Sequence, residues 1–176
     1  MHPLIKYSGI TCGLLFSLSA IGIAAGLRIN TTPSLPLGVY RLTGETISKG
    51  ATVIFCPPLT PVFAEAQTRG YISVGFCPAG YGAMIKKVSA LAGDIISVND
   101  EGVCVNNQQL PNSAPLAADI GGGPLPYYRI TNKKLNRAEV LLMSDSNRKS
   151  FDARYFGPIN IAQISGVIRP LITWKE

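Results

Sequence analysis

The sequence predicts a mostly β domain carried behind one N-terminal transmembrane helix. Two observations predict it. An apolar run without a charge extends from Tyr7 to Leu27, 21 residues. Beyond it, short runs of β-branched and apolar residues alternate with Gly, Pro and Asn/Asp turn signals, as strands separated by tight turns do.

The run comes first. A helix rises about 1.5 Å per residue, so roughly 20 apolar residues cross the hydrocarbon core. Gly13, Gly22 and Gly26 weaken a helix in water, but in lipid the backbone must bond to itself. Lys6 precedes the run and Arg28 closes it, a small charge bias that favours an N-terminus in the cytoplasm. A cleaved secretory signal is the alternative, since Ile23-Ala24-Ala25-Gly26 offers small residues. The length of the run and the immediate Arg28 favour an uncleaved anchor. The expected organisation is a cytoplasmic tip and anchor over residues 1–28 and an exported domain over residues 29–176.

The exported part is long enough for one domain with its own core. Val39-Tyr40-Arg41-Leu42 and Ala51-Thr52-Val53-Ile54-Phe55 are strand candidates, the second ended by Pro57 and Pro58. Residues 62–70 suit one short helix closed by Gly70. Met84-Ile85-Lys86-Lys87-Val88 is a further strand before a turn at Ala92-Gly93-Asp94. Ile95–Val98 and Val103–Val105 flank Asn99-Asp100-Glu101-Gly102, a hairpin signal. Residues 108–126, rich in Pro, Gly, Ala and Asn, form a long irregular loop. Val140–Met143 and Ile164–Ile172 complete the strands.

Composition excludes several functions. The chain carries a net charge of +6, without a basic stripe interleaved with aromatics, so nucleic acid is not an expected partner. A solvated surface explains the excess more simply than contact with anionic headgroups. Gly121-Gly122-Gly123 lacks the Gly-Lys-Ser/Thr and the helix of a phosphate loop. No Cys-x-x-Cys spacing or nearby histidine supports zinc, and no cofactor is implied. Cys12 lies in the span. Cys56, Cys77 and Cys104 face an oxidising space, where three thiols allow one internal bridge and leave one over. Cys56 and Cys77 share a Phe-Cys-Pro pattern and bracket one excursion, which favours that pair.

The chemistry turns on one exclusion. The best nucleophile candidate, Ser34, lies in Asn30-Thr31-Thr32-Pro33-Ser34-Leu35-Pro36-Leu37-Gly38, just past the span. The single histidine, His2, lies before it. A Ser-His-Asp triad needs an imidazole within hydrogen-bond reach, and His2 is about a bilayer away. The remaining base is a lysine whose pKa burial lowers from about 10.4. Lys86 and Lys87 are adjacent in a strand, so one points inward and one outward. Alternation alone does not say which, and a solvated strand edge accounts for two lysines equally well. Pro33 and Pro36 stiffen the backbone around Ser34, and Gly38 permits a bend. The Thr32 hydroxyl and the Ser34 N–H are candidate oxyanion donors. A Pro-rich linker with an idle serine is the competing reading.

Three segments taken together carry more. Residues 34–40 after a membrane anchor resemble the nucleophile box of type I signal peptidases. Ile85-Lys86-Lys87-Val88 before Ala92-Gly93-Asp94 is similar to their lysine box. Residues 144–157 are similar to their late box, which ends in Ser-x-Asp-Ser-Arg-Tyr-Trp-Gly. The Asn-x-Thr-x-Ser-x-Pro-x-Gly-x-Tyr start, Phe55-Cys56-Pro57-Pro58, and the stretch from Arg69-Gly70-Tyr71 to Cys77-Pro78 resemble the TraF subgroup, the peptidases of conjugative transfer systems. The resemblance covers nearly all of the exported domain. The late box departs in two places. It begins Ser144-Asp145-Ser146 rather than Gly-Asp, and Ala153 stands where serine is common.

The resemblance implies a signal-peptidase-like antiparallel β domain with a Ser-Lys dyad, anchored in a bacterial inner membrane with its site in the periplasm. By residue it implies Ser34 as nucleophile and Lys86 as general base. It also implies Thr32 as an oxyanion aid, Ser150 as the hydroxyl that orients the lysine, and Asp152 as the acidic residue of the late box. It implies further that the acyl-enzyme trims a TrbC-like pilin precursor and closes it head to tail, among other conjugation-apparatus proteins. Two readings compete with it. A general signal peptidase for exported preproteins would act on a broader substrate range. A non-catalytic, membrane-anchored scaffold of a conjugation complex would keep its function after Ser34→Ala.

Overall fold

The computed structural model describes residues 13, 16, 17 and 19–174. His2, Lys6, Cys12 and much of the apolar run lie outside these residues. Residues 19–24 are helical. Among the described residues, no helix is long and apolar enough to cross a membrane. The first strand, β1 (Leu27–Asn30), takes in Leu27 and Arg28, which the sequence reading gave to the anchor, and pairs with β2 (Leu37–Thr43).

The remaining elements are β3 (Thr52–Phe55), α1 (Pro61–Thr68), β4 (Met84–Ala90), β5 (Ile95–Asn99), β6 (Gly102–Val105), β7 (Gln108–Gln109), β8 (Ile130–Lys134), β9 (Glu139–Met143), α2 (Ala153–Phe156), β10 (Ile159–Asn160) and β11 (Ile164–Trp174). They build a seven-stranded sheet in the order β1-β2-β11-β3-β4-β9-β10 and a four-stranded sheet in the order β7-β6-β5-β8. Every named pairing is antiparallel.

Alternation along the strands sorts the core. On β3, Val53 and Phe55 point into the main core, and Ile54 joins a smaller cluster with Leu35, Tyr40, Ile85 and Ile168. The main core is shared between the sheets, since Ile96, Val98 and Val103 of the small sheet pack with Val53, Val88 and Leu141 of the large one. The two sheets therefore bury one another.

Two details refine the sequence reading. Gly38 lies within β2 and makes no bend. A Cβ there would sit 2.2 Å from the Ile172 carbonyl oxygen of β11, so the close approach of two backbones requires glycine. Cys56 and Cys77 form a disulfide with Cα atoms 5.5 Å apart, and Cys104 keeps a free thiol.

Candidate active site

The segment joining β1 to β2, residues 31–36, carries Ser34 and has no regular structure of its own. Side chains hold it instead. Asn30, buried at the end of β1, donates from Nδ2 to the Leu35 and Pro36 carbonyls, at 3.0 Å each. Its Oδ1 accepts from the Thr32 N–H at 3.2 Å and the Thr32 hydroxyl at 2.9 Å, an Asx-type turn. The Tyr40 hydroxyl donates to the Pro36 carbonyl at 2.7 Å. From the other side, Asn147 Nδ2 donates to the Pro33 carbonyl at 3.0 Å, and the Ser144 and Ser146 hydroxyls both donate to the Ser34 carbonyl. Leu35 anchors the segment in the smaller apolar cluster.

Lys86 comes from β4, which is flanked by β3 and β9. It points inward, is 3% exposed, and donates to Ser34 Oγ at 2.7 Å and to Ser150 Oγ at 2.8 Å. The two hydroxyls are 3.0 Å apart, which closes a triangle. Burial lowers the Lys86 pKa to about 8. The nearby Asp152 carboxylate acts against that shift, and the Arg154 guanidinium acts with it. Lys87 points outward and pairs with Asp145 at 2.7 Å. Alternation required opposite faces, and Lys86 is the lysine that shares its face with Met84, Val88 and Ala90, which enter the main core.

Ser150 and Asp152 lie on the connection from β9 to α2. Asp152 does not touch Lys86. It is fully buried and caps α2. It accepts from the Ser144 N–H at 3.0 Å and pairs with the equally buried Arg154 at 2.8 Å. Arg154 Nη1 in turn donates to the Asn112 and Arg148 carbonyls. Phe151 ties this connection to Phe63 of α1 and to Tyr71, with ring centroids 6.1 and 5.6 Å apart. Thr32 borders the site, but its hydroxyl is given to Asn30.

Sequence reasoning missed Asn30, Ser144, Ser146, Asn147 and Arg154. The departure at Ser144-Asp145-Ser146 was the available signal: those hydroxyls are the ones that grip the Ser34 carbonyl. Ala153, the other departure, is fully buried at the first turn of α2.

Two cavities meet at Ser34. The smaller, about 160 Å³, reaches Lys86 between Ile29, Ile72, Met84 and Ile85. The larger, about 790 Å³, lies beneath residues 116–125 and reaches Ser150. A hydroxyl beside a buried amine with a lowered pKa is an arrangement for nucleophilic attack without an imidazole.

The model for signal peptidase, peptidase S26, matches residues 3–174, and the chain belongs to this family, whose members are serine peptidases. Its relatives narrow the class. A plasmid transfer protein TraF of Escherichia coli is 54% identical over 157 residues, covering 89% of this chain and 88% of the relative. A second TraF of Escherichia coli is 49% identical over 171 residues, covering 97% of each. The conjugal transfer protein TraF of Agrobacterium tumefaciens (strain 15955) is 34% identical over 169 residues, covering 90% and 89%. Among solved structures, a signal peptidase I from Enterococcus faecalis V583 aligns with a TM-score of 0.39 at 15% identity, over 70% of this chain and 97% of that one.

Proposed function

We propose that this chain is a membrane-anchored serine peptidase and transpeptidase that trims a conjugative pilin precursor and joins its ends. The observation that carries the reading is the 2.7 Å contact between Lys86 Nζ and Ser34 Oγ in a buried setting. Neutral Lys86 takes the Ser34 proton, Ser34 attacks a peptide carbonyl after a small residue, and Lys86 passes that proton to the departing amine as the carbon–nitrogen bond breaks, leaving an acyl-enzyme. The Ser34 N–H and the Thr32 hydroxyl, once released from Asn30, hold the oxyanion. Ser150 keeps the amine oriented. Water completes a hydrolysis, whereas the N-terminal amine of the same peptide completes a ring.

The apolar run supports a single-pass anchor in the inner membrane, with residues 1–28 as tip and anchor and residues 29–176 in the periplasm. The Cys56–Cys77 disulfide supports an oxidising compartment. Resemblance to the TraF proteins, named for plasmid and conjugal transfer, supports the pilin precursor as substrate and the conjugation apparatus as partner.

The test uses the full chain in membranes with precursor pilin. Ser34→Ala and Lys86→Ala are each expected to abolish processing, and Lys87→Ala to retain it. The product is expected to weigh one water less than the trimmed linear peptide. A linear product removes the joining step and leaves the peptidase. Processing by Ser34→Ala rejects the enzyme altogether.

A further inference from the structure

Joining rather than hydrolysing sets a physical problem. Water surrounds any acyl-enzyme at far higher concentration than a free amine does. An amine wins only if it is held in attacking geometry, where oriented groups reach effective molarities of about 10⁵–10⁸ M. A joining enzyme therefore needs a second seat beside the nucleophile.

The two cavities at Ser34 differ in the way this requires. The smaller suits the small side chain at the cleaved carbonyl, and the larger falls in the size range of ligand pockets, roughly 300–1,000 Å³. They also present different members of the triangle: Lys86 borders the smaller and Ser150 the larger. We propose that the larger cavity is the acceptor subsite, seating the apolar N-terminal segment of the peptide whose acyl group Ser34 holds. This rests on the joining reaction proposed above.

Its walls fit that occupant. Tyr71, Leu116, Leu125 and Tyr155 give it an apolar lining. The wall is fixed before any ligand arrives, because Asp119 accepts from Arg69 Nη2 at 2.6 Å, from the Tyr71 hydroxyl, and from the Gly123 N–H at 2.8 Å. The Leu116 N–H adds a bond of 3.0 Å to the Tyr155 hydroxyl. A preformed seat loses little entropy on binding.

Ser150 completes the chemistry. An amine entering from this cavity meets Ser150 Oγ, which lies 2.8 Å from Lys86 Nζ and 3.0 Å from Ser34 Oγ. The amine nitrogen bonds to the acyl carbon, and the carbon–Oγ ester bond of Ser34 breaks. The amine proton passes through the Ser150 hydroxyl to neutral Lys86, which returns a proton to Ser34 Oγ. The products are an amide and the free serine, with no change of oxidation state.

The test supplies the full-length protein with a peptide methyl ester ending in a small residue, plus a separate peptide with an apolar N-terminus as acceptor. Quenched-flow mass spectrometry reads the first-order rate constant at which the acyl-enzyme becomes amide as the acceptor is titrated, with the acid formed alongside. That rate constant belongs to the acyl-enzyme, so a misfolded fraction of a variant does not move it. It is expected to saturate, and Leu116→Trp and Ala118→Trp, which fill the cavity, to raise the half-saturating concentration by about tenfold. A rate constant that climbs linearly without saturating, or a half-saturation that neither variant shifts, overturns the subsite alone. Acid without amide at every acceptor concentration overturns joining and the subsite together. An ester that is not turned over at all removes the peptidase reading beneath both.

Discussion

Lys86 gives up its water on folding and receives two hydroxyl partners in return. Burial is the larger effect, and it brings the amine to about pKa 8. Two consequences follow from the sign of that shift. The proposed catalysis needs the neutral amine, so the acylation rate is expected to rise through a single ionisation near pH 8, measured with a substrate that does not titrate there. Stability moves the same way. Between about pH 8 and pH 10.4 the unfolded chain holds a proton that the folded chain does not, so stability rises with pH across that window. Below it the cost of burying the cation is fully present. Lys86→Met removes that cost and leaves Ser34 and Ser150 bonded to each other. The variant is expected to be inactive at every pH and more stable at pH 7, by an amount on the order of 3 kcal/mol at most. Thermal melts at pH 7 and pH 10 check this, because the advantage should shrink at the higher pH. Ser34 and the Lys86–Lys87 alternative were legible in the sequence, through residue type and strand alternation. Asn30 was not, because its role depends on carbonyls five and six residues away that only the folded turn brings to it.

Elements were legible where a periodic signal was long enough. β2, β3, β4 and the β5–β6 hairpin stand within a few residues of the expected places, and the helix expected over residues 62–70 covers Pro61–Thr68. β1 was hidden because it abuts the apolar run. β8 was missed because Ile-Thr-Asn-Lys-Lys is polar and lies at a sheet edge. α2 has four residues, fewer than any helical period can mark. The expected loop over residues 108–126 is mostly irregular, broken by β7 and by one bridge between Ala118 and Pro124. The excursion between Cys56 and Cys77, 21 residues apart in sequence, matters most to the site. It holds α1 together with Arg69, Tyr71 and Ile72, which wall the two cavities. Closing a loop of this size contributes about 3 kcal/mol in the chain-entropy model. The double variant Cys56→Ala/Cys77→Ala is therefore expected to lose about that much stability in denaturant melts. Its processing should slow as well, since both cavity walls are loosened while the Lys86–Ser34 pair is untouched.

The Ser34–Lys86 contact forms only in the completed molecule. Ser34 follows the first strand and Lys86 lies on the fourth, yet β11, the last strand of the chain, sits between β2 and β3. Until β11 inserts, the sheet that brings Ser34 to Lys86 of β4 is not closed. The shared core makes the small sheet a party to the same event, because Ile96 and Val103 have no exposed surface and pack in one cluster with Val53 and Leu141. The two sheets should therefore unfold as one cooperative unit. Ile96→Ala tests this from a strand that contributes no residue to the site. A buried isoleucine cut to alanine costs about 2–5 kcal/mol. The single tryptophan of the chain, Trp174, reports from β11 in the large sheet. Tryptophan fluorescence and backbone circular dichroism are expected to shift to the same lower midpoint in Ile96→Ala, with one transition in each. A Trp174 transition that stays in place while part of the circular dichroism signal melts early would show two independent sheets. The site would then be insulated from the far end of the fold instead of dependent on it.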